Sequence, residues 1–308
     1  MGAIAELIHD NRVLLRIMGT NILIAYAMWL PLAMGQFQVT QPVFLAISGY
    51  TGALLTLNAG MPLPLVLVLA VGAGVAVAVL LAPLLVRLSG IFLGLVSFAL
   101  VGLVVVVALN IGVTGGSTGL FGIPRKVAVY GIWTAVALVI ALMILLRRSR
   151  FGLAMTIVND DPVAARGTGL NVFRMHVLVF VLSAGIASLA GVLRVHTFYN
   201  IGPSDFGLDQ ILGILTFVIL GGMRSVWGPL VGTVVVTMIS TQIDAFEDWE
   251  LAVNGLLLLL IVVFLPRGLT SLRLPRRIFR RGRPPGAPPP AAEPAPSVEP
   301  EPTPQGVR

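Results

Sequence analysis

The chain is short of charged residues: only 11% of its 308 residues are Asp, Glu, Lys or Arg, whereas 57% are hydrophobic. Soluble domains carry about 25% charged residues, so a water-exposed surface cannot be built over this whole chain. Lipid must therefore cover much of it, and long apolar runs predict membrane-spanning helices. The chain also has no cysteine, which excludes disulfides, zinc–thiolate sites and thiol nucleophiles.

Other residues that carry chemistry are equally scarce. The three histidines, His9, His176 and His196, are scattered, and none has the spacing of metal ligands. The single lysine, Lys126, lies in the sequence IPRKV, which lacks the glycine-rich turn of a phosphate-binding loop. We therefore predict that the chain is not an enzyme, has no catalytic residues and no metal site, binds no cofactor and does not hydrolyse ATP itself.

Eight apolar runs are long enough, or nearly long enough, to cross a membrane. They cover residues 13–33, 62–86, 91–111, 129–146, 175–198, 208–220, 226–241 and 251–265. A further apolar stretch, 36–57, is interrupted by glutamine, proline, serine and glycine, which are tolerated at membrane depth only where protein or water surrounds them. The sequence thus predicts an all-α fold: a polytopic transmembrane helix bundle of 8–9 spans with one broken or re-entrant segment near residues 36–57.

Arginine placement predicts the orientation of the bundle, because loops rich in Lys and Arg remain in the cytoplasm. Three arginines within 147–150 end the fourth apolar run and another precedes the fifth, so the loop between them is expected to be cytoplasmic. Two arrangements of the first part remain open. Either residues 36–57 enter and leave on one side and the N-terminus is cytoplasmic, or they cross fully, which gives nine spans and an external N-terminus.

The composition changes near the end of the chain. Residues 267–283 contain seven arginines, and the remainder is rich in Pro, Ala and Glu without an apolar face to bury. We therefore divide the chain into a transmembrane domain at residues 1–270 and a basic, Pro-rich, disordered tail at residues 271–308. The arginines place this C-terminal tail in the cytoplasm.

The cytoplasmic loop between the fourth and fifth runs carries a clear local signal. Asp161 followed by Pro162 is typical of a helix start, because an Asp side chain caps free N–H groups and Pro fits the first helical position. Gly167 and Gly169 are expected to end this helix after about one turn. A long loop with its own helix is usually functional, so the helix either docks in a groove of a soluble partner or is an ordinary capped connection.

The segment RSRFGLAMTIVNDDPVAARGTGLNVFRMH, residues 148–176, resembles the cytoplasmic coupling region in the membrane subunits of branched-chain amino acid ABC importers. Seven further elements match in order: GQFQVTQPVFLAISGYTGALL at 35–55, RLSGIFLGLVSFAL at 87–100, TGGSTGLFGIP at 114–124, FVLSAGIASLAGVL at 180–193, SDFGLDQ at 204–210, LGGMRSVWGPLVG at 220–232 and FLPRGL at 264–269. The resemblance spans about residues 20–270.

Within this family, the TGGSTG element suits the M-type of the two non-identical permeases better than the H-type. The chain departs from the family pattern at two places. It has Gln38, Val39 and Thr40 where Ser-Leu-Gly is usual, and it has Val158 where an Arg is usual.

The resemblance implies a heteromeric, ATP-driven importer in the bacterial inner membrane. This chain and an H-type partner would form the pathway for branched-chain or related amino acids by alternating access. Two cytoplasmic ATPase subunits would use ATP and Mg to drive it, an external binding protein would deliver the substrate, and no nucleic acid would be bound. The residues implied in ATPase coupling are Asn159, Asp160, Asp161, Pro162, Ala165, Arg166 and Gly167.

The polar interruptions of the apolar stretch indicate where the pathway lies. Polar side chains there are costly unless they are buried with partners or wetted. The candidate pathway residues are Gln36, Gln38, Gln41, Ser48, Tyr50 and Thr51. A stand-alone channel or secondary carrier for a small polar solute remains an alternative, although a proton- or sodium-coupled carrier often has ionisable residues at mid-membrane. The lack of cysteine and of clustered histidine argues against an intramembrane enzyme.

Overall fold

The structure of the chain is a computed structural model, and it describes residues 12–88, 90–124, 127–223 and 225–242. The last predicted span, 251–265, and the predicted tail, 271–308, lie outside the described residues. The remainder is predominantly helical, as the composition predicts.

The described part of the chain contains ten α-helices. They are α1 (Arg12–Leu32), α2 (Gln41–Asn58), α3 (Leu63–Leu85), α4 (Ile91–Asn110), α5 (Val129–Arg148), α6 (Arg150–Asp160), α7 (Pro162–Gly167), α8 (Val172–Phe198), α9 (Leu208–Gly221) and α10 (Gly228–Gln242). Short 3-10 turns cover Gly112–Thr114 and Pro203–Phe206. Two antiparallel strands, β1 (Leu120–Phe121) and β2 (Asn200–Ile201), pair the loop before α5 with the loop after α8.

Five of the described helices, α1, α3, α4, α5 and α8, are long and apolar enough to cross a membrane. The apolar windows of α1 and α8 are 67% and 61% buried, whereas those of α3, α4 and α5 are only 22–28% buried. The first two helices therefore form the centre of the bundle, and the other three present apolar side chains outward, where lipid or another subunit must cover them. The helix α9 and the start of α10 are shorter apolar helices.

The helix α8 packs against α1, α2 and α3. Small residues allow the backbones to approach closely: Gly191 of α8 lies against the Leu45 carbonyl and the Ser48 hydroxyl of α2, and Gly74 of α3 lies against Ser188. Phe44 and Phe180 add an edge-to-face ring pair with centroids 5.5 Å apart. This packing fixes the position of α2 beside the central helix.

The interruption predicted near residues 36–57 is narrower than expected. Gln41–Asn58 is one continuous helix, and the non-helical segment is confined to the connection at residues 33–40. Pro42 does not break α2, because it stands in the first turn, where its missing N–H leaves no hydrogen bond unmade. Ser48 does not break it either, since its hydroxyl donates to the Phe44 carbonyl of the same helix at 2.8 Å.

The side-chain contacts give the direction of the first two helices. Gly19 near the start of α1 lies against Ile132 near the start of α5. Trp29 near the end of α1 lies beneath Arg147 at the end of α5, so these helices run parallel. The same ring donates its Nε1–H to the Met223 carbonyl at 2.8 Å, which ties α1 to the turn between α9 and α10.

The second helix runs parallel to α8 in the same way. Gln41 at the start of α2 donates to Ser183, and Thr56 near its end pairs with His196 near the end of α8 at 3.1 Å. Because α5 ends and α8 begins at the 149–171 connection, α1 and α2 run in opposite directions. The 33–40 connection therefore lies at the same end of the bundle as the 149–171 connection.

Candidate functional site

The connection between α5 and α8 contains the short helix that the sequence predicts. The carboxylate of Asp161 accepts hydrogen bonds from the backbone N–H groups of Val163 at 2.8 Å and Ala164 at 3.0 Å, and Pro162 occupies the first helical position. The predicted helix start is thus confirmed. The bond from Ala164 contributes most, and that from Val163 next, to lowering the pKa of Asp161, because both stabilise the charged form.

The end of α7 is also defined by hydrogen bonds. Gly169 has φ +81°, and its N–H donates to the Arg166 carbonyl at 3.1 Å, while the N–H of Leu170 donates to the Ala165 carbonyl at 3.3 Å. This pair of bonds around a left-handed residue is a Schellman motif. Gly169 therefore terminates the helix, whereas Gly167 is its last helical residue.

The structure brings the predicted coupling residues together around this helix. Ala165 is fully buried and holds α7 against the protein, while the others are exposed. The exposed ones are Asn159, Asp160, Asp161, Pro162, Arg166 and Gly167. Val163 adds an apolar side chain that is 72% exposed. The result is a short, helical, solvent-facing surface that carries negative and positive side chains and one large apolar residue.

The sequence reasoning missed α6, which directly precedes α7. Its buried residues Ala154, Met155 and Val158 follow the helical spacing of three and four, and this period was the signal that could have found it. Val158 is only 2% exposed, so the residue that replaces the family's usual Arg faces the bundle.

The glutamines of the 33–40 connection and the start of α2 are buried, as predicted. Gln36, Gln38 and Gln41 are at most 6% exposed. The Gln41 amide nitrogen donates to the Ser183 hydroxyl at 3.2 Å, and that hydroxyl donates to the Ala27 carbonyl at 2.7 Å. This chain of bonds ties the first turn of α2 to both central helices.

Several polar atoms in this region have no partner among the described residues. They are both side-chain polar atoms of Gln38, the side-chain oxygens of Gln36 and Gln41, and the Thr40 hydroxyl. Buried polar groups normally find partners, because leaving one unpaired costs about 1–3 kcal/mol. We call Gln36, Gln38, Thr40 and Gln41 the glutamine cluster; its side chains could bond a polar ligand or water.

The other three pathway candidates lie away from the glutamine cluster. Ser48 bonds within its own helix and packs against Gly191, which is a structural contact between α2 and α8. Tyr50 is buried and contacts Phe206 with ring centroids 5.9 Å apart, and its hydroxyl has no hydrogen-bond partner within the described ranges. Thr51 is half-buried. Three of the six candidates therefore belong to the glutamine cluster, Ser48 packs between α2 and α8, and the remaining two lie farther along α2.

A further polar side chain, Arg194, makes defined contacts near the end of α8. Arg194 donates to the side-chain oxygen of Gln210 at 3.0 Å, and its guanidinium lies 5.3 Å from the centroid of the Phe198 ring. Asp205 accepts from the backbone N–H of Gly202 at 2.8 Å in the adjacent loop. These contacts fix the loop that follows α8.

Comparisons with known proteins show that this chain is similar to transport permeases. A family model described as branched-chain amino acid transport system / permease component matches residues 13–264. The high-affinity branched-chain amino acid transport system permease protein LivM of Escherichia coli is 25% identical over 304 residues, which cover 87% of this chain and 70% of LivM. None of the solved structures is a significant match.

Two further relatives match over shorter regions. The permease LivH of the same transport system in Escherichia coli is 30% identical over 141 residues, or 45% of this chain and 46% of LivH. The fructose import permease protein FrcC of Rhizobium meliloti is 31% identical over 150 residues, or 46% of this chain and 42% of FrcC. All of these relatives are transport permeases.

Proposed function

Because the chain belongs to the family of branched-chain amino acid transport permease components, we propose that it forms one half of the membrane pathway of an ATP-driven importer for branched-chain or related amino acids. The M-type assignment from the sequence is confirmed, since the match to LivM covers 87% of the chain and the match to LivH only 45%. The observation that carries the ATP-driven mechanism is α7, a capped and exposed helix joined at both ends to the bundle.

In this proposal α7 transmits movement from a cytoplasmic ATPase subunit to the membrane helices. Its exposed face docks on the ATPase, which binds the ATP and Mg. Only residues 168–171 separate α7 from α8, and Asn171 caps α8 by accepting the N–H of Arg174 at 3.0 Å. A displacement of α7 therefore reaches α8, the helix against which α1, α2 and α3 pack.

The glutamine cluster supplies the polar lining of the pathway. Its amide and hydroxyl groups that lack a partner in the described part of the chain can donate hydrogen bonds to a polar solute that crosses the bundle and accept hydrogen bonds from it. The H-type permease provides the opposite wall, and an external binding protein delivers the substrate. Amino acids are favoured over sugars because LivM matches most of the chain, whereas the match to FrcC covers less than half.

The antiparallel course of α1 and α2 favours the nine-span arrangement. With the 149–171 connection in the cytoplasm, the 33–40 connection also lies there, α2 crosses fully, and the chain begins outside the cell. The C-terminal tail is then cytoplasmic. In this orientation the loops joined by β1 and β2 face the external binding protein.

The test is reconstitution of the chain with its H-type partner and ATPase subunits in proteoliposomes. We expect uptake of radiolabelled leucine from a loaded binding protein to require ATP hydrolysis, and excess fructose not to compete. Uptake that proceeds equally without the ATPase subunits would contradict the proposal and favour a stand-alone channel or carrier. ATP-dependent uptake of radiolabelled fructose, with no uptake of leucine, would assign the pathway to sugars.

A further inference from the structure

A cavity of about 580 Å³ lies between the end of α1, the end of α5 and α6, beside the predicted coupling residues. Its volume is within the range of about 300–1,000 Å³ that is typical of small-molecule sites. Its floor includes the buried side chains of Trp29, Met143 and Met155. An apolar group placed on this floor would be removed from water.

The rim of the cavity is polar and carries both signs of charge. Arg147, Thr156, Asn159 and Asp160 line it, and all four are exposed. The Arg147 guanidinium lies 6.0 Å from the centroid of the Trp29 ring, which holds the positive charge above the apolar floor. Within the described part of the chain, neither Arg147 nor Asp160 forms an ion pair. Both charges are therefore open to a ligand.

We propose that this cavity binds a free α-amino acid with an apolar side chain. Such a ligand carries a carboxylate and an ammonium group on one carbon. Arg147 matches the carboxylate, because a guanidinium recognises carboxylates with paired N–H donors, and Asp160 matches the ammonium group. The apolar side chain then lies on the floor of Trp29, Met143 and Met155, where its burial favours binding. A ligand with only one charge satisfies only one side of the rim.

This site is separate from the glutamine cluster, although the two are neighbours in sequence. Gly35 and Phe37 line the cavity and are exposed, whereas Gln36 and Gln38 are buried. Successive residues of the 33–40 connection thus belong in turn to the cavity and to the glutamine cluster. A ligand in the cavity is bound on the side of α7, outside the proposed pathway.

Occupancy of the cavity would affect the start of α7. Asp160 is the last residue of α6, and the next residue, Asp161, caps α7. A ligand that joins Asp160 to Arg147 of α5 therefore restrains α7 relative to the bundle. The effect on transport rests on the proposed function: amino acid accumulated on the α7 side would slow further uptake.

The binding test uses the full-length chain in nanodiscs and equilibrium binding of radiolabelled L-leucine. Isocaproate, which lacks the ammonium group, and isoamylamine, which lacks the carboxylate, are the competitors. We expect leucine to bind and each analogue to bind at least about tenfold more weakly, because each loses one charged hydrogen bond. Equal competition by either analogue would overturn the proposal.

Two variants assign the binding to this cavity. Arg147→Gln should weaken leucine and isocaproate but not isoamylamine, and Asp160→Asn should weaken leucine and isoamylamine but not isocaproate. Arg148→Gln is the matched control, because Arg148 is the exposed neighbour of Arg147 and does not line the cavity. If neither cavity variant weakens leucine binding, the proposal is overturned. It is also overturned if the unmodified chain binds no leucine and Arg147→Gln only loses co-purified anionic phospholipid.

The effect on transport is measured with the complete transporter in proteoliposomes that are preloaded with leucine on the α7 side. For each variant, the initial uptake rate with internal leucine is divided by the rate without it. We expect a ratio clearly below one for the unmodified chain and a ratio near one for Arg147→Gln. If the unmodified chain binds leucine but its ratio of uptake rates stays at one, the proposed restraint on α7 is overturned. Absence of ATP-driven uptake would contradict the proposed function, whereas the nanodisc measurement does not depend on it.

Discussion

Asp161 determines where α7 begins, because its carboxylate accepts the N–H groups of Val163 and Ala164 that no helical carbonyl can reach. We expect Asp161→Ala to expose these two amides to exchange and to reduce ATP-driven uptake. Asp161→Asn should retain both, since an amide oxygen also accepts hydrogen bonds at a helix start. Hydrogen–deuterium exchange at residues 163 and 164 measures the cap, and unchanged exchange in Asp161→Ala would contradict its role.

The same cap has a defined pH dependence. Hydrogen bonding lowers the pKa of Asp161 in the folded protein, so the cap is fully formed above the ordinary Asp pKa of about 3.9. Its contribution is lost as the pH falls through the lowered pKa of the folded state. Amide protection at residues 163 and 164 should therefore be constant at neutral pH and decrease only in strong acid, whereas in Asp161→Asn this decrease should be absent.

Gly167 tests whether the surface of α7 contacts a partner. A Cβ added at this position meets no atom within 4 Å and the residue has a helical backbone, so Gly167→Leu should insert and fold normally. We expect ATP-driven uptake to be abolished, because a large side chain would project from the docking surface, and Arg166→Glu should have the same effect by reversing a charge. Gly169→Leu is the contrasting variant: its φ of +81° disfavours any side chain, so it should disturb α7 itself. Normal uptake by Gly167→Leu and Arg166→Glu would remove the coupling assignment.

For single residues, the sequence predicts the features that depend on residues close to them in the chain. Asp161 and Pro162 act on the turn that follows them, so the start of α7 is readable from the chain alone. Ser48 is different, because its surroundings are supplied by Gly191, on a helix far along the chain. Its role in the pathway stays a prediction from the sequence; what the structure adds is that Ser48 lies in the contact between α2 and α8.

The contact between α2 and α8 depends on Gly191 having no side chain. A Cβ at this position would meet the Leu45 carbonyl and the Ser48 hydroxyl, and backbone cannot move aside as a flexible side chain can. We expect Gly191→Ala to lower the free energy of unfolding in mild detergent by about 1–3 kcal/mol, as overpacking does.

Gly185 of the same helix provides the matched control. A Cβ there would meet only a methyl group of Val75 at 3.6 Å, which is an ordinary contact. Gly185→Ala should therefore be neutral or stabilise the helix by about 0.5–1 kcal/mol. Equal destabilisation by both substitutions would show that the effect comes from composition and not from close packing of α2 on α8.

The long apolar helices were predictable from the sequence, whereas the short helix α6 and the continuous course of α2 were not. Apolar length alone identifies α3, α4 and α5. The helix α6 was overlooked because it lies between charged residues and is too short to span a membrane, although Met155 and Val158 follow the helical period. The continuity of α2 was hidden by Pro42 and by buried polar side chains whose partners, such as Ser183, belong to other helices.

The bundle has an apolar core, and it also exposes large apolar side chains at its periphery. The glutamine cluster is buried, whereas Leu80 and Ile91 are 78% and 74% exposed on peripheral helices. The low share of charged residues in the sequence predicts this apolar periphery. The sequence cannot identify which buried polar atoms face a solute, because in the proposed function that depends on a second permease that completes the pathway.

The orientation of the whole molecule is open to a direct test, because the chain contains no cysteine and any introduced thiol is labelled alone. Arg12, Ser117 and Ala164 are exposed and lie at the start of α1, before α5 and within α7. In the nine-span arrangement an impermeant thiol reagent should label Arg12→Cys and Ser117→Cys on intact spheroplasts, and Ala164→Cys only after permeabilisation. If Arg12→Cys is protected together with Ala164→Cys, the chain begins in the cytoplasm and α2 does not cross as proposed. Labelling of Ala164→Cys from outside would place α7 beyond the reach of any cytoplasmic ATPase, and neither the coupling mechanism nor regulation by cytoplasmic amino acids could then operate.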